Sequence, residues 1–439
     1  MLYNTLLGIP HMKVQRLHER YGPIVQIGPN TLSFVSTTAI KQIYSFSNAF
    51  DKSSVYELQH MDGSGLFFFK DKASHALRRR ILNRSFSEQA LSQYHEHLVG
   101  EVEHLIRCLL EKTAEHGQVD LTRILPQYAF DNINTIFFSG HAFPSLLDSD
   151  DPTHITRWAA SVFELGEIFS HVEALFHLTM CIPGVSKLMP FGKISVDAAE
   201  RRLRNGPAFR DGISYWFDGG ESQPKLDASD LPIETETILL GDAVGGVLVL
   251  MFYFLIESPK WLHLLRGELE ASKERAPTQW LLSLDKLDIL NAVIQEGLRL
   301  GTPLPGFPRV VPDDGAIIDG HHVPGGTSVS VPIWGYHLSK EHFSDPTTFD
   351  PDRWIEDGRF SSNKGTLFAF TAGPFGCAGQ KLAYAQLRIL LALVVFQLDI
   401  VPTPEFDPVK FWNGVRNRRA TTFPGPFWVR VAGRGDRGL

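Results

Sequence analysis

The stretch that most constrains the fold is residues 370–379, FTAGPFGCAG, a loop with glycines and a proline around Cys377, directly before an apolar helix-forming segment. Glycines let the backbone approach a flat cofactor without side-chain clashes. The amino terminus of the following helix turns amides and its positive dipole end towards the sulfur, which stabilises a thiolate. A thiolate ligand favours O–O bond cleavage on haem iron. The loop therefore predicts Cys377 as an iron ligand, although a lone cysteine in an apolar setting is more commonly a packed small hydrophobe.

Composition narrows the remaining classes of protein. The chain of 439 residues contains three cysteines, and Cys108, Cys181 and Cys377 lie far apart. An odd number at such spacing supports neither a disulfide framework nor a clustered zinc site. The formal net charge of -7, with no long run of basic residues, excludes a nucleic-acid partner. Hydrophobic and charged residues at 43% and 21% predict a globular chain.

Periodicity along the chain predicts a mainly α fold with small β sheets in a single domain spanning residues 1–439. Residues 23–28 and 31–36 are predicted to form a hairpin around a Pro-Asn turn, and residues 303–334 are predicted to form a second small sheet. An apolar stripe beginning after Ser87 predicts one long helix. Residues 218–232 are predicted to be a loop, and the segment after Gly379 a buried helix.

One apolar segment, residues 238–256, is about as long as a bilayer-spanning helix but is interrupted by Asp242. A helix at the centre of a large helical protein has the same composition. We interpret it as a buried core helix and keep a membrane-embedded helical protein as an alternative. The amino terminus becomes polar within a dozen residues, so no N-terminal anchor is expected.

An acid and a base three residues apart, Glu296 and Arg299, share one helix face and can pair. Such pairs are common on solvated helices and are weak evidence alone. The segment FDPDRW places a further base, Arg353, between this helix and the cysteine loop. With Arg353 the pair can become a three-member network, and removal of one member of such a network would strand buried charge.

These elements, in this order, resemble the cytochrome P450 family, in particular its fungal secondary-metabolism members. The resemblance implies haem b between a long central helix and the cysteine loop, with Cys377 as axial ligand. It implies that Glu296, Arg299 and Arg353 form a structural cluster. It also assigns cofactor contacts to a set of basic, aromatic and glycine residues: His75, Arg79, Arg309, Phe370, Gly373 and Gly379.

Two positions depart from the family pattern. Aligning the central helix places Asp242 at the family's acidic, catalytic position and Ala243 at the usual threonine, so the hydroxyl that assists proton delivery is missing. Phe375 stands where the family has a basic residue facing a haem propionate. We expect haem affinity to rest more heavily on His75, Arg79 and Arg309.

The resemblance implies a monooxygenase acting on a lipophilic natural-product intermediate, with dioxygen and NADPH-cytochrome P450 reductase as partners. The endoplasmic reticulum surface or the cytoplasm is the expected location, and peripheral membrane contact is kept open. Ala243 motivates one alternative, a peroxide-using, isomerising or dehydrating haem-thiolate enzyme. The altered positions motivate another, a non-catalytic haem-binding relic.

Overall fold

The computed structural model describes residues 2–45, 49–54, 56, 65–149, 155–156, 164, 166–169, 178, 191–218, 223–241, 243–302, 304, 306–360, 367–417 and 420–435. Within these ranges, helices account for most of the regular structure. The α-helices are α1 Leu2–Leu6, α2 Pro10–Tyr21, α3 Thr37–Tyr44, α4 Lys72–Leu82, α5 Glu88–His116, α6 Leu121–Phe138, α7 Leu146–Ser149, α8 Phe191–Asn205, α9 Gly212–Phe217, α10 Leu231–Gly241, α11 Val244–Ile256, α12 Pro259–Arg275, α13 Asp288–Leu300, α14 Ile333–His337, α15 Gln380–Gln397 and α16 Pro408–Gly414. The mainly α prediction is confirmed.

The strands are short and form small sheets. They are β1 Ile24–Gly28, β2 Thr31–Phe34, β3 Asp51–Lys52, β4 Val119–Asp120, β5 Arg309–Val310, β6 Ala316–Ile318, β7 His321–Val323, β8 Ser328–Ser330, β9 Ile355–Glu356, β10 Arg359–Phe360, β11 Leu398–Pro402, β12 Arg416–Asn417, β13 Thr421–Thr422 and β14 Trp428–Gly433. The larger sheets have the orders β1-β2-β8-β5-β3 and β11-β14-β4.

The predicted amino-terminal hairpin is present, because β1 pairs with β2 in antiparallel register. The prediction of a separate second sheet was wrong in part. Strand β8 pairs in parallel with β2, and β5 joins β8 to β3, so both regions contribute to one five-stranded sheet. Of the strands described between residues 306 and 334, β6 and β7 form a hairpin apart from it. Burial of Phe34, Val311 and Val329 in one cluster accounts for this merger.

Helix α5 follows the predicted stripe. The Ser87 hydroxyl accepts a hydrogen bond from the Ala90 amide and caps its start. Gly117, with φ of 75°, ends it in the left-handed conformation that glycine adopts freely. The core face is fully buried at Tyr94, Leu98, Val102, Leu105 and Leu109.

The central apolar segment is two helices rather than one continuous helix. Helix α10 ends at Gly241, and α11 begins after Ala243, whose φ and ψ of -102° and 2° are not helical. The predicted loop at 218–232 is shorter than expected, because a 3₁₀ turn at Ala228–Asp230 leads into α10. The Asp227 side chain accepts the amide of Ser229 and starts that turn.

Helix α11 lies at the centre of the core, packed against α6, α12, α13 and α15. Leu248, Val249, Leu250 and Met251 are fully buried within it. By length and composition alone, Ala228–Ile256 could cross a membrane, with a mean hydropathy of 2.2, but 65% of the qualifying window is buried inside the protein. A core helix passes the same test, in agreement with the buried-helix interpretation.

Candidate active site

The loop around Cys377 folds on itself through backbone hydrogen bonds. The Cys377 amide donates to the Phe370 carbonyl across 3.0 Å, and the Gly376 amide donates to the Gly373 carbonyl at the same distance. Gly379 directly precedes α15. These bonds hold the sulfur at the amino end of α15, as the sequence predicts.

Protein surrounds the Cys377 thiol except where it faces a cavity. Burial raises the pKa of the thiol, while the amides of Gly379 and Gln380 and the charge of Arg79 act in the opposite direction. The helix terminus therefore helps the thiolate but does not outweigh burial. A metal cation bound at the sulfur would supply the missing compensation, because a coordinating thiol is deprotonated by the metal itself.

The cavity has a volume of about 820 Å³ and lies between α11 and the cysteine loop. Its wall is largely apolar, with side chains from α4, α6, α11 and the segment before β5. The apolar lining includes Leu66, Phe68, Leu82, Phe86, Phe130, Ile133, Phe137, Val244, Val247, Leu304 and Phe307. Val244 and Val247 of α11 line the cavity, whereas Leu248 lies in the core and does not.

Basic side chains gather around Phe375 at one side of the cavity. His75 packs against the Phe375 ring with centroids 4.6 Å apart, and the Arg309 guanidinium lies 5.2 Å from it. Arg79 Nη1 donates a hydrogen bond to the Gly376 carbonyl oxygen. Among the described residues, no carboxylate pairs with His75, Arg79 or Arg309. The structure thus brings together all three residues predicted to hold the propionates.

This concentration of positive charge contributes to a lowered pKa of His75. Burial, followed by the charges of Lys52, Arg79 and Arg309, lowers the pKa of His75 to about 3. Arg309 is 1% exposed, and its Nε is buried without a partner in the part of the chain that the structure describes. A buried cationic donor lacking an acceptor is costly. The site is chemically suited to an anionic group, such as a carboxylate.

The structure assembles the predicted network of Glu296, Arg299 and Arg353. Arg299 Nε and Nη2 each lie 2.8 Å from a Glu296 carboxylate oxygen, and Arg353 Nε lies 2.9 Å from Oε1. The Trp354 indole donates to Oε2 across 3.0 Å, a contact that the sequence interpretation did not include. Glu296 and Arg299 are at most 1% exposed.

Other predicted site residues have different placements. Phe370 and Gly379 line the cavity. Gly373 is not among the lining residues: it has φ of 72°, and a Cβ there would overlap the Tyr44 carbonyl oxygen, so glycine is required by close packing against α3. Ala243 lines the cavity, while Asp242 lies outside the described residues.

Two polar residues of the cavity wall were missed by sequence reasoning. Lys52, on β3, and Tyr56 both line the cavity. The Lys52 Nζ lies 4.9 Å from the Phe375 ring centroid, and the Tyr56 hydroxyl accepts a hydrogen bond from Arg309 Nη1 across 2.8 Å. No local motif marks them, because they are about 320 residues away in sequence from the cysteine loop.

The fold and the site together define a haem-thiolate protein. A cysteine sulfur faces a large apolar cavity below a buried helix, and cations suited to two carboxylates lie at its side. These groups fit haem, which carries iron at its centre and propionates at one edge. The thiol suits the iron, and Arg309 Nε with the surrounding basic groups suits the propionates.

Comparisons with known proteins agree with this class. The family model described as Cytochrome P450 matches residues 2–418. Cytochrome P450 monooxygenase atr2 of Stereocaulon alpinum is 29% identical over 415 residues, which cover 90% of this chain and 80% of that protein. Trichothecene C-15 hydroxylase of Fusarium sporotrichioides is 27% identical, over 90% of this chain and 83% of that protein. Averantin hydroxylase of Dothistroma septosporum is 28% identical, over 98% of this chain and 83% of that protein.

Among solved structures, a cytochrome P450DA heme domain superimposes with a TM-score of 0.80 at 16% identity, covering 97% of this chain and 94% of that one, which shows the fold. The chain belongs to the cytochrome P450 family. It is a haem-thiolate monooxygenase whose cofactor is haem and whose reaction takes dioxygen, a small-molecule substrate and electrons from a donor protein. The comparisons give no support to an isomerase, a dehydratase or a non-catalytic relic.

Proposed function

We propose that this enzyme inserts oxygen into a lipophilic natural-product intermediate of secondary metabolism, with Cys377 as the thiolate ligand of the haem iron. The observation that carries the proposal is the position of the Cys377 sulfur at an apolar cavity of about 820 Å³. A cavity of this volume suits a drug-sized, largely uncharged molecule. The names of the fungal hydroxylases to which the chain is similar support the same class of substrate.

His75, Arg79 and Arg309 are proposed to hold the haem propionates. Hydrogen bonds from charged donors to carboxylates are shorter and about twice as strong as those between neutral groups. Bound in this position, haem supplies the activation of dioxygen. Phe370 and Gly379, which line the cavity on the cysteine side, are proposed to contact the face of the ring.

Proton delivery is proposed to use water rather than a side-chain hydroxyl. Ala243 lines the cavity at the interruption between α10 and α11 and has no group that can donate a proton. Asp242 is the adjacent acid in the sequence and is proposed to organise this water. A hydroxyl on the substrate is the other source that this chemistry allows.

Spectroscopy tests the thiolate directly. The dithionite-reduced protein under carbon monoxide should show the red-shifted Soret band of a thiolate-ligated haem, and Cys377→His should bind haem without that band. Cys108→Ser is the matched control, since Cys108 is buried in the core away from the cavity. A red-shifted band that persists in Cys377→His would contradict the assignment. Type I spectral shifts across a panel of apolar compounds then test the substrate class.

The electron donor, the location and the domain organisation are further proposals. We propose NADPH-cytochrome P450 reductase as donor, residues 1–439 as one domain, and a place at the endoplasmic reticulum surface rather than free in the cytoplasm. Exposed apolar side chains on and after α1, namely Leu2, Tyr3, Leu6 and Leu7, support contact with a membrane. Flotation with vesicles of neutral lipid, compared between the parent and Leu6→Asp, tests that contact.

A further inference from the structure

A group of side chains with metal-binding chemistry lies apart from the cavity wall, where α5 meets α7. His104 and Cys108 belong to α5, and Asp148 belongs to α7. Their donor atoms, an imidazole nitrogen, a sulfur and a carboxylate oxygen, all lie within 4.8 Å of one another. Residues four apart share one face of a helix, so α5 presents the imidazole and the thiol to α7 together.

Helix α7 is anchored by a buried acid of α6. Asp131 accepts hydrogen bonds from the Leu146 amide across 2.9 Å and from the Leu147 amide across 3.1 Å. Both leucines are 1% exposed, which fixes the start of the short helix. The Asp148 carboxylate is held at α5 as well, since its Oδ1 lies 2.7 Å from His104 Nε2. The backbone that carries the third donor is therefore ordered before any ion binds, which lowers the cost of binding.

A second carboxylate lies behind the imidazole ring. Glu101 Oε2 is 4.0 Å from His104 Nδ1, and the other oxygen of Glu101 accepts a hydrogen bond from the Thr135 hydroxyl across 2.6 Å. Metal-binding histidines usually have a carboxylate or carbonyl at the ring nitrogen that faces away from the metal, because it orients the ring and raises its basicity. With Nε2 towards Asp148 and Nδ1 towards Glu101, His104 has this arrangement.

The simpler alternative is a histidine–aspartate pair beside a cysteine that only fills space. Cys108 is a free cysteine, 6% exposed, in the main apolar cluster. Packing accounts for its burial but not for its position beside both an imidazole and a carboxylate. A nucleophilic role is disfavoured, because burial, followed by the charges of Asp148 and Glu111, raises the pKa of the Cys108 thiol to about 11.

The donor set selects the ion. Magnesium and calcium prefer oxygen ligands, whereas Zn²⁺ binds thiolate, imidazole and carboxylate at about 2.0–2.3 Å. In a tetrahedral zinc site the donors lie roughly 3–4 Å apart, so the present separations would have to shrink by about 1 Å. The Asp148 side chain is 65% exposed and can rotate to make this adjustment. Three protein ligands leave the fourth position to water.

We propose that His104, Cys108 and Asp148 bind Zn²⁺, with Glu101 positioning the His104 ring. Binding releases the thiol proton to solvent and forms a zinc–thiolate bond. The ion then joins α5 to α7 and stabilises the folded chain, because a ligand that binds only the folded state adds to its stability. The site is separate from Cys377, and the proposal does not depend on the reaction at the haem.

Calorimetric titration of Zn²⁺ into the haem-loaded enzyme tests the ligands. The parent should bind one ion per chain, and Cys108→Ser and Asp148→Ala should each weaken that binding about 10-fold or more. Asp148 is exposed, so its variant keeps the test valid if Cys108→Ser does not fold. His116→Gln is the control for surface histidines, since His116 lies on the same helix at an exposed site beside Glu115. It should bind Zn²⁺ like the parent.

X-ray absorption at the zinc edge identifies the donor atoms without interference from the haem iron. The parent should show one sulfur neighbour at about 2.3 Å. Cys108→Ser should lose this neighbour, and Cys181→Ser should keep it. Glu101→Gln should bind Zn²⁺ about 10-fold more weakly with the sulfur neighbour retained, because Glu101 orients a ligand and is not one itself.

Absence of zinc binding to the parent would overturn the proposal. A bound ion without a sulfur neighbour, or one whose sulfur neighbour disappears in Cys181→Ser, would place zinc elsewhere and also overturn it. Equal affinities of the parent and Asp148→Ala would do the same.

Discussion

Arg353 Nε donates a hydrogen bond to Glu296 Oε1 across 2.9 Å, which joins the segment before the cysteine loop to helix α13. The same carboxylate binds Arg299, so one buried anion holds two guanidinium groups. Glu296→Gln should lower the free energy of unfolding by about 3–5 kcal/mol, because it leaves buried positive charge uncompensated.

Urea unfolding of the ferric enzyme measures this loss. Asp352→Asn is the control, since Asp352 lies next to Arg353 but its side chain pairs with Lys260 at an exposed site. Its cost should be about 0.5 kcal/mol or less. Equal effects of the two variants would contradict a buried network as the source of stability.

Arg79→Ala should lose haem readily. Arg79 contacts the loop carbonyl of Gly376 and lies among the cations at the cavity. Loss of its charge-assisted hydrogen bonds should speed haem transfer about 10-fold or more. Arg80→Ala, one residue along the same helix but exposed, should retain haem like the parent. Full retention in Arg79→Ala would argue against the propionate role.

Ala243→Thr should improve coupling, because it returns a hydroxyl to the cavity wall where proton delivery is proposed to depend on water. The fraction of NADPH oxidation that appears as hydrogen peroxide should fall several-fold. Ala243→Val, similar in shape but without the hydroxyl, is the control. Low peroxide yield in the parent, unchanged by the threonine, would show that proton delivery is already sufficient.

Neighbouring glycines of α11 should respond oppositely to alanine. A Cβ at Gly245 would lie 2.6 Å from the Pro126 Cα of helix α6, whereas one at Gly246 would have no neighbour closer than 3.9 Å. Gly245→Ala should cost about 1–3 kcal/mol through overpacking. Gly246→Ala should gain up to about 1 kcal/mol from helix propensity. Thermal unfolding of the two variants checks this contrast, which reversed signs would refute.

Acid should destabilise the protein through His337. Burial, followed by the charge of Arg299, lowers the pKa of His337 to about 3, and His342 acts in the same direction. The unfolded chain takes up a proton near pH 6.5 while the folded chain does not, so stability is full above pH 6.5 and falls as the pH decreases from there towards 3.

The expected slope from this residue is about 1.4 kcal/mol per pH unit. Urea unfolding between pH 4 and 7 should show a shallower dependence for His337→Gln than for the parent. His116→Gln, at an exposed site, should keep the parent slope. An unchanged slope in His337→Gln would assign the acid sensitivity to other groups.

Local patterns predicted the parts of the fold that depend on a few neighbouring residues. The stripe of α5, the hairpin of β1 and β2 and the loop before α15 each follow from backbone geometry that repeats over one or two turns or strands. The pairing of Glu296 with Arg299 has the same origin, since residues three apart share a helix face.

The order of the motifs along the chain also predicted the site residues Arg353 and Cys377, because their motifs are distinctive enough to be assigned from the sequence. The interruption between α10 and α11 was not predicted, because the composition of residues 238–256 fits a continuous helix equally well. The sequence predicted that Gly373 contacts the cofactor. In the structure a glycine is required there because its close neighbour is the Tyr44 carbonyl in α3.

The sequence by itself determined the chemistry of the cysteine loop, and the tertiary structure decided which charges surround it. Lys52 reaches Phe375 only because β3 pairs with β5 and both strands join the sheet begun by β1 and β2. Such a meeting of residues more than 300 positions apart has no periodic signal in the sequence. It arises from burial of the apolar faces of the sheet, which is a property of the packed chain as a whole.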